Sequence, residues 1–431
     1  MRPFRAERYM PSVRVLIVSE NISMQMGGES SLPFYYAKLF SQRGAEVWLA
    51  CHERVENELR AAFPELESRI RLVRDTQAQK TAFRYGNALP YRIRDLFVGQ
   101  AIHLSTQARI RKIAIELASA GLIDVVFEPA PITPKGLSFM YKIGVPVVIG
   151  PLCGGMNFPP AFADFDSFIT RASMVLGRYF SQFANYLVPG KIQADVLLAA
   201  NANTEKALPA GHRGRVIRLF ESGVDLDIWK PIDAAPAAHD GVRFVFSGRF
   251  VDWKGVEYLV PAFAKAAAQE PLCRLDLIGG GELEGQVKAV IEQHQLSKMV
   301  RLHGWISRTD AAQVIREADV FVMPSLRECG GTAILEAMAL GKPVIATNWG
   351  GPADYVDSSC GILVDPSSKT GFIDGLAEAM VRLARSPELR KSLGAGGKLR
   401  VRKDDLDWNS KADRMLAVLV EATRSKESID K

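Results

Sequence analysis

Two basic side chains lie in a short loop between an apolar run and a helical pattern near the middle of the sequence. Residues 247–255 have the sequence SGRFVDWKG, which contains Arg249 and Lys254. An arginine can bind two phosphate oxygens at once, whereas a lysine supplies a mobile point charge. Such a pair would help to neutralise the charge on a departing diphosphate. The alternative is a solvated loop with two surface cations.

A second loop combines a glycine pair with two carboxylates. Residues 324–336 have the sequence PSLRECGGTAILE, in which a strand ends and a helix begins near Thr332. The amino end of that helix offers free N–H groups to an anion. Glu336 lies among apolar neighbours on the helix, and an enclosed carboxylate needs partners such as a ribose diol. Glu328 could accept hydrogen bonds from a sugar. The alternatives are a buried ion pair for Glu336 and a surface position for Glu328.

Two glycine-rich turns occur in the first half of the chain. Residues 26–31 follow the opening strand and could bind an anion through their backbone, or could form a plain tight turn. Residues 150–160 could shape an acceptor pocket, although turn formation alone would explain their composition. The candidate residues in these two turns are Gly27, Gly28, Gly154, Gly155 and Asn157. A third turn, residues 279–281, lacks the G-x-G-x-x-G order and is weak evidence for a dinucleotide site.

The elements that must position these loops alternate along the chain. Short Val- and Ile-rich runs, each followed by a turn and a helical pattern, predict parallel sheets covered by helices. The predicted strands include residues 13–19, 145–149, 244–247, 275–278, 320–323 and 343–346, and the predicted helices include 32–42, 332–340 and 411–422. A linker at 223–241 separates two such series. Because parallel sheets bind ligands beyond the carboxyl ends of their strands, two facing domains would place a site in the cleft between them.

Composition supports two folded domains and argues against several classes of protein. The chain has 431 residues, of which 48% are hydrophobic, enough for two cores. There is no signal-like segment and no run of eighteen apolar residues, so a cytoplasmic location is expected. There is no Cys-x-x-Cys pair and no histidine cluster, so no zinc site is expected.

The net charge of +6 is concentrated in the first half of the chain. Residues 1–235 hold 28 basic and 22 acidic side chains, while the remainder holds 26 of each. The excess is densest in residues 69–112, where the basic residues are Arg69, Arg71, Arg74, Lys80, Arg84, Arg92, Arg94, Arg109, Arg111 and Lys112. Aromatic residues alternate with these cations, which predicts peripheral contact with the anionic inner face of the cytoplasmic membrane. A solvated surface is the alternative, and nucleic acid is not expected to bind.

Taken together, these motifs resemble those of the family-four glycosyltransferases, which are retaining enzymes of the GT-B fold. The resemblance rests on the pairs Gly248-Arg249 and Lys254-Gly255, on Gly279-Gly280-Gly281, on Leu302-His303-Gly304-Trp305, and on Pro324-Ser325 followed by Glu328 and Glu336. It implies two Rossmann-like domains that face each other across a cleft. The implied ranges are a flexible tail at 1–12, an acceptor-binding domain at 13–225 joined by a helix at 409–425 that crosses back to it, and a donor-binding domain at 226–408.

The resemblance also assigns roles to individual residues. It implies that Arg249 and Lys254 hold the donor diphosphate, that Glu336 binds the ribose, and that Glu328 contacts the donor sugar. The other donor-binding residues are expected to be Gly27, Gly28, Gly248, Gly280, Trp305, Ile306, Gly330, Gly331 and Thr332. The acceptor is expected to contact Gly154, Gly155 and Asn157. No metal and no cofactor are expected, since the nucleotide-sugar is itself a substrate.

One position departs from the family pattern. Relatives often carry a histidine just before a Glu-Pro pair in the first domain, whereas here Phe127 precedes Glu128 and Pro129. Glu128 is therefore the remaining polar candidate for a catalytic contribution from this domain. None of the six histidines occupies a comparable position in the sequence.

The sequence thus predicts a retaining, metal-independent glycosyltransferase that uses a nucleotide-sugar donor. The acceptor hydroxyl could belong to a lipid-linked glycan or to an envelope or exopolysaccharide glycan. The donor base is left open among UDP, GDP and ADP. The alternatives are a nucleotide-sugar epimerase or phosphorylase of the same fold, a catalytically silent sugar-binding subunit and, last, a nicotinamide dehydrogenase.

Overall fold

The computed structural model describes residues 13–77, 79, 81, 100–165, 168–231 and 239–427. The predicted N-terminal tail, part of the basic stretch and part of the predicted linker lie outside the described residues. The chain divides into two compact units. The first comprises residues 1–153, 177–221 and 412–431, and the second comprises 154–176 and 222–411.

A parallel sheet of seven strands forms the centre of the first unit. The strands lie in the order β3-β2-β1-β4-β5-β6-β7. Their bounds are β1 Arg14–Val18, β2 Glu46–His52, β3 Ile70–Val73, β4 Val125–Glu128, β5 Val147–Leu152, β6 Val196–Ala199 and β7 Arg215–Arg218. Val15 of β1 is in register with Val47 on one side and Val125 on the other. Runs of β-branched residues suit these strands because helices cover both faces of a parallel sheet.

The second unit has a parallel sheet of six strands in the order β10-β9-β8-β11-β12-β13. Their bounds are β8 Arg243–Ser247, β9 Arg274–Ile278, β10 Val300–Gly304, β11 Val320–Met323, β12 Val344–Thr347 and β13 Gly361–Val364. Phe244 is in register with Leu275, and Phe321 is in register with Val344. These four side chains are completely buried and form part of the unit's core.

Helices follow most of the strands. Their bounds are α1 Gly28–Gln42, α2 Glu56–Ala62, α3 Gln100–Ser119, α4 Phe168–Leu187, α5 Gly190–Gln193, α6 Ala202–Lys206, α7 Val256–Gln269, α8 Glu284–Gln293, α9 Arg308–Glu317, α10 Thr332–Ala339, α11 Gly351–Tyr355, α12 Lys369–Arg385, α13 Pro387–Lys403 and α14 Trp408–Glu427. Short 3₁₀ helices occupy Glu53–Val55, Pro64–Arg69, Pro160–Phe165 and Asp252–Lys254. Side-chain oxygens of Asn201, Ser307, Ser368 and Ser386 cap the first turns of α6, α9, α12 and α13, as expected for these residue types.

The prediction of two Rossmann-like domains with parallel sheets is confirmed. Residues 154–176 group with the second unit. Within that unit, Trp349 donates from Nε1 to the carbonyl of Asn157 at 2.9 Å, and Lys369 pairs with Asp164 at 2.5 Å. The structure describes residues 223–231 at the start of the predicted linker. Trp229 in this part is only 2% exposed, so the segment packs against the fold.

The strand order changes direction once in each sheet. In the first sheet this switch point lies between β1 and β4, and in the second it lies between β8 and β11. The loops that follow the two central strands diverge there and leave a crevice at the carboxyl edge of the sheet. The loops after β8 and β11 are those that carry Arg249, Lys254 and Glu328.

Candidate functional site

The two loops at the switch point of the second unit are fixed to each other by their backbones. Leu326 donates its N–H to the carbonyl of Trp253 at 2.8 Å. Gly255 has φ +67°, and a Cβ at this position would lie 2.1 Å from the carbonyl oxygen of Pro324. Only glycine permits both this dihedral angle and this close approach. The loop after β8 is therefore held directly against the loop after β11.

Lys254 and Glu328 form a salt bridge across this junction. The Nζ of Lys254 donates to the Oε2 of Glu328, and the side chains are only 17% and 18% exposed. Neither side chain has another polar partner among the described residues. The structure thus brings together the residues predicted to contact the diphosphate and the donor sugar. Because each neutralises the other, the pair can be half-buried without an isolated charge.

Arg249 lies at the surface of the same loop. Its guanidinium carbon is 5.3 Å from the ring centroid of Trp253, within the range of a cation–π contact. The side chain is exposed. Trp253 therefore supports an arginine whose N–H groups are still able to reach an anion.

The helix α10 begins at the junction of these loops with an open amino end. Its N-cap is Gly331, which has φ +117° and provides no side chain to cap the first turn. The backbones of Gly330 and Gly331 are buried, whereas Thr332 is partly exposed. The N–H groups of a first helical turn have no carbonyl partner within the helix and carry a partial positive charge. This end of α10 can therefore accept an anionic group.

Glu336 lies one turn into α10, with its side chain only 13% exposed. Burial raises the pKa of this carboxyl to about 7, and the charge of Arg308 opposes the shift. The Nη2 of Arg308 is 3.7 Å from its Oε1, and Glu336 accepts no hydrogen bond from any described residue. The predicted burial of Glu336 is thus confirmed, and its carboxylate retains hydrogen-bonding capacity for further donors.

The glycine-rich turn after β9 lies beside the loop after β8. Gly248 donates its N–H to Ile278 at 3.0 Å, and a Cβ on Gly279 would lie 2.0 Å from the carbonyl oxygen of Gly248. Gly280 lies next to the indole nitrogen of Trp305, whose side chain is 69% exposed. An exposed indole next to a glycine turn offers an apolar face to a flat ring. Trp305 and its partly buried neighbour Ile306 are therefore available to a base.

The predicted acceptor loop also lies close to Glu328. Gly350 approaches both loops, because a Cβ on it would be 2.6 Å from the Glu328 carbonyl oxygen and 2.6 Å from Met156. Gly351 donates its N–H to the same carbonyl at 2.8 Å. The guanidinium of Arg327 is 5.4 Å from the ring centroid of Phe158. Gly154, Gly155 and Asn157 thus belong to a segment that packs against the Glu328 loop.

Several residues near this candidate site were not identified from the sequence. Arg308 faces Glu336 from the start of α9, and Trp349 anchors the 154–157 segment. His303 contacts Asp276 at 2.7 Å across β9 and β10. A Ser-x-x-Asp helix start at Ser307 was visible in the sequence and could have located Arg308 at a helix end. The other two contacts depend on strand register and on packing distant in sequence, which no local pattern reveals.

In the first unit, Phe127 belongs to the core. Its ring is completely buried, 5.0 Å from the ring of Tyr36 and 6.1 Å from that of Phe40. Alternation along β4 turns the next side chain to the opposite face. Glu128 is nevertheless only 2% exposed, and its Oε2 accepts a hydrogen bond from Ser138 at 2.5 Å, while its Oε1 has no partner in the part of the chain that the structure describes.

Glu128 shares its buried environment with Lys191. Burial raises the pKa of the Glu128 carboxyl and lowers the pKa of the Lys191 ammonium, and the attraction between the two opposes both shifts. Lys191 donates from Nζ to the carbonyl of Thr133. Glu29 accepts from the N–H of Ile132 at 2.9 Å and also attracts Lys191. Glu29 follows Gly27 and Gly28, where α1 starts without a side-chain cap.

A histidine that sequence reasoning left unassigned lies in the same unit. His103 pairs through Nδ1 with the Oε2 of Glu20, and Glu20 also accepts from Arg54 at 3.0 Å. Burial would raise the pKa of Glu20, but the contacts with His103 and Arg54 lower it overall. The charge of His103 also favours ionised Glu128. Glu20 follows β1 and Glu128 ends β4, so this polar group lies at the switch point of the first sheet.

The described arginines of the basic stretch contact protein groups. Arg69 and Arg74 lie 3.7 Å from the carboxylates of Glu46 and Glu53. The other contacts are Arg71 over the Trp48 ring, Arg109 to the carbonyl of Arg74, and Arg111 to the carbonyl and ring of Tyr141. Lys80, Arg84, Arg92 and Arg94 lie outside the described residues. No helix within the described ranges is both long and apolar enough to cross a membrane.

Known proteins match this chain in sequence and in fold. Residues 227–400 match the family model described as glycosyl transferases group 1. A GDP-mannose-dependent monoacylated alpha-(1-6)-phosphatidylinositol monomannoside mannosyltransferase of Corynebacterium glutamicum is 28% identical over 40% of this chain and 45% of its own length. A D-inositol 3-phosphate glycosyltransferase of Streptomyces bingchenggensis is 29% identical over 53% of each chain. The chain thus spans about half the length of the curated relatives it matches.

Solved structures extend the likeness in fold to nearly the whole chain. A sucrose-phosphate synthase from Thermosynechococcus elongatus matches with a TM-score of 0.64 at 19% identity, over 96% of this chain and all of the other. The Anabaena protein HepE in complex with UDP matches with a TM-score of 0.63 at 15% identity, over 95% of this chain and all of the other. With its two parallel-sheet domains the chain has the GT-B fold, and its residues 227–400 are similar to the glycosyl transferases group 1 family.

Proposed function

We propose that this protein is a retaining, metal-independent glycosyltransferase whose second unit binds a nucleotide-sugar donor. One observation supports this most strongly. Two cations, the open end of a helix and two carboxylates converge at the switch point of the β8–β13 sheet, where ligands of such sheets bind. The residues are Arg249, Lys254, Gly331, Glu328 and Glu336.

Each group matches one part of a nucleotide-sugar. Arg249 and Lys254 bind the diphosphate together with the N–H groups that follow Gly331. Glu336 accepts hydrogen bonds from the ribose hydroxyls, which supply the donors that its buried carboxylate lacks. Glu328 accepts from the sugar hydroxyls once Lys254 turns to the phosphate. The remaining proposed donor contacts in the second unit are Gly248, Gly280, Trp305, Ile306, Gly330 and Thr332, and the role of Gly27 and Gly28 stays a prediction from the sequence.

The proposed transfer needs no nucleophile from the protein. The bond between the anomeric carbon and the β-phosphate oxygen breaks, and the acceptor oxygen bonds to the same face of the sugar. The acceptor proton passes to the departing phosphate, which leaves as part of a nucleoside diphosphate. Positive groups fixed around that phosphate stabilise the charge as it develops. Arg249 and Lys254 are therefore catalytic residues in this scheme, as is Glu328 through its contact with the sugar.

Metal independence is proposed because protein cations supply the charge that a bound metal would otherwise provide. Acidic triplets of the form Asp-x-Asp do occur, but their described carboxylates serve the fold. Asp164 pairs with Lys369 at 2.5 Å, and Asp225 accepts from the N–H of Asp227 at 3.0 Å. Asp407 accepts from the first N–H groups of α14, at 2.9 Å from Asn409.

The acceptor is proposed to lie against Gly154, Gly155 and Asn157, because their segment packs against the loop that carries Glu328. A lipid-linked acceptor is favoured by the similarity to the corynebacterial relative, whose name includes a phosphatidylinositol glycolipid. The same name includes GDP-mannose, whereas HepE was solved with UDP. These two proteins favour GDP and UDP as the donor nucleotides. We also propose that the protein is cytoplasmic and works at the inner face of the membrane.

The test is a thermal-shift screen of UDP-, GDP- and ADP-sugars, followed by product analysis by nuclear magnetic resonance. A donor at about a hundred times its Kd should stabilise the protein by about 2.7 kcal/mol. The product should keep the anomeric configuration of the donor, with chelator present throughout. An inverted product would refute the mechanism, conversion of the donor without acceptor would indicate an epimerase, and failure of every nucleotide to bind would refute the proposal.

A further inference from the structure

The helix α4 presents an apolar face to solvent. Six of the twelve large apolar side chains that are exposed among the described residues lie on this one helix. They are Leu176, Tyr179, Phe180, Phe183, Tyr186 and Leu187, which are 59% to 74% exposed. Spacings of three and four residues put them on one side of the helix. This patch, called here the α4 face, greatly exceeds the scattered apolar exposure that is normal for a protein surface.

The opposite side of α4 is polar and faces the first unit. Ser181 donates from Oγ to the carbonyl of Lys135 at 2.8 Å, and the buried Asn185 donates to the same carbonyl at 3.4 Å. Gln182 accepts from the N–H of Ala210 at 2.8 Å and donates to its carbonyl at 3.2 Å. These hydrogen bonds fix the rotation of the helix. The apolar residues face outward because the side that carries Ser181, Gln182 and Asn185 is hydrogen-bonded to the first unit.

Basic side chains lie near α4. The twenty residues of α4 include two arginines and no acidic residue. Arg178 is exposed and lies close enough to Lys135 for its charge to lower the pKa of that lysine, after the larger effect of burial. The exposed Arg213 follows Ala210 and Gly211, and Gly211 lies beside the hydroxyl of Tyr186.

We propose that the α4 face binds the surface of an anionic lipid bilayer. Aromatic and leucine side chains enter the boundary between headgroups and acyl chains, while Lys135, Arg178 and Arg213 contact lipid phosphates. Four of the six exposed residues are aromatic, and the two tyrosines have a polar end suited to that boundary. A protein partner would bury the same apolar residues, but the surrounding positive charge favours an anionic surface.

The proposal assigns the membrane contact to α4, whereas the sequence pointed to residues 69–112. It does not depend on the donor chemistry, since adsorption to a bilayer needs neither donor nor turnover. Its failure would therefore leave the proposed glycosyl transfer standing, and would count only against the proposed location at the membrane. If the membrane contact and the proposed function both hold, a lipid-anchored acceptor and the enzyme lie at the same membrane surface.

The test is flotation of the full-length protein with vesicles of phosphatidylcholine, alone or mixed with phosphatidylglycerol, at low and high salt. The wild type should float with the mixed vesicles, and less at high salt. The double substitution of Phe180→Ser and Phe183→Ser should lower the partition coefficient at least about tenfold. The matched control replaces two exposed leucines elsewhere, Leu272→Ser and Leu399→Ser, and should bind as the wild type does.

A charge variant checks the electrostatic part independently. Lys135→Glu combined with Arg178→Glu should lower binding to the mixed vesicles about tenfold and leave binding to phosphatidylcholine alone unchanged. Thermal unfolding confirms that each variant is folded, since all the altered side chains are at least partly exposed. Equal flotation of wild type and the Phe180→Ser, Phe183→Ser variant would overturn the proposal. So would a wild-type dimer that does not float and that the same double substitution converts to a monomer in sedimentation.

Discussion

At the scale of single residues, most charged side chains of the candidate donor site contact a group that stabilises their charge. Lys254 and Glu328 neutralise each other, and Arg249 stacks on Trp253. Glu336 differs from them, because its one ionic partner among the described residues, Arg308, is 3.7 Å away and its carboxyl pKa is raised to about 7. A carboxylate buried with so little compensation destabilises the fold and is retained where a ligand supplies the missing donors.

The substitution Glu336→Gln should reveal the cost of burying this carboxylate through the pH dependence of the free energy of unfolding. The folded pKa of about 7 lies above the ordinary pKa of a glutamic acid. Protonated Glu336 therefore stabilises the folded state, and that contribution is lost as pH rises through about 7. Relative to wild type, the Gln variant should be equally stable at about pH 4 and more stable at about pH 8, by about 1–3 kcal/mol.

Denaturant unfolding across this pH range measures the difference, with Glu284→Gln as the control. Glu284 is 44% exposed and pairs with Lys288, so its substitution should show no comparable rise with pH. A Glu336→Gln effect that stays constant with pH would mean that the carboxylate is not destabilised by burial. The variant should also bind the donor more weakly, because it loses the ribose acceptor.

Phe127→His tests whether the histidine expected from the family resemblance could work at this position. The ring of Phe127 is completely buried against Tyr36. An imidazole would leave its nitrogens without partners and would fill less space, so we expect a loss of about 2–4 kcal/mol in unfolding free energy and no gain in turnover. Phe180→His, at a residue that is 72% exposed, should cost less than about 0.5 kcal/mol. A stable Phe127→His variant with faster turnover would contradict the assignment of Phe127 to the core.

At the scale of elements, the loops after β8 and β11 depend on backbone contact as much as on side chains. Gly255→Ala should destabilise the protein by at least about 2 kcal/mol, because φ is +67° and the new Cβ would lie 2.1 Å from the carbonyl oxygen of Pro324. Donor affinity should fall as well, since the adjacent Lys254 would shift. The control is Gly285→Ala in α8, where a Cβ meets nothing within 4 Å. Equal stability of the two variants would show that the loops are not held as described.

Much of this element structure could be predicted from the sequence. The strand Val320–Met323 and the start of α10 at Thr332 were located correctly, because a β-branched run, Pro324 and the glycine pair mark those boundaries. The orientation of α4 was not predictable. Periodicity shows that a helix has an apolar side, but only the hydrogen bonds of Ser181 and Asn185 show that this side faces outward.

For the candidate site, the loops could be predicted from the sequence, but the contacts between their side chains could not. The loops that carry Lys254 and Glu328, and the helix that carries Glu336, followed from the predicted parallel strands, because such strands align their carboxyl ends. The contact between Lys254 and Glu328 joins residues 74 positions apart. The approach of Arg308 to Glu336 likewise depends on how α9 packs near α10. Such pairings arise from tertiary packing, which no sequence window contains.

At the scale of the whole molecule, the proposed donor site belongs to the second unit. This predicts which backbone amides a bound nucleotide should protect. Hydrogen exchange with a bound nucleoside diphosphate should slow at amides of residues 248–255 and 330–336, because ligand contact suppresses local opening. The intact donor should also protect residues 27–31 if Gly27 and Gly28 bind it as predicted from the sequence. Mass spectrometry of peptides from both units measures this. Protection confined to the first unit would contradict the assignment of the donor site.

The central claim is that the cations of the second unit bind the diphosphate. Calorimetric titration of the nucleoside diphosphate selected by the donor screen, into wild type and Lys254→Ala, tests it most directly. The control is Lys265→Ala, which removes a lysine that is 52% exposed and pairs with Asp374. We expect the Kd to rise at least about tenfold in Lys254→Ala, as for the loss of a charge-assisted hydrogen bond, and to stay at the wild-type value in Lys265→Ala. A wild-type Kd in Lys254→Ala would contradict the account.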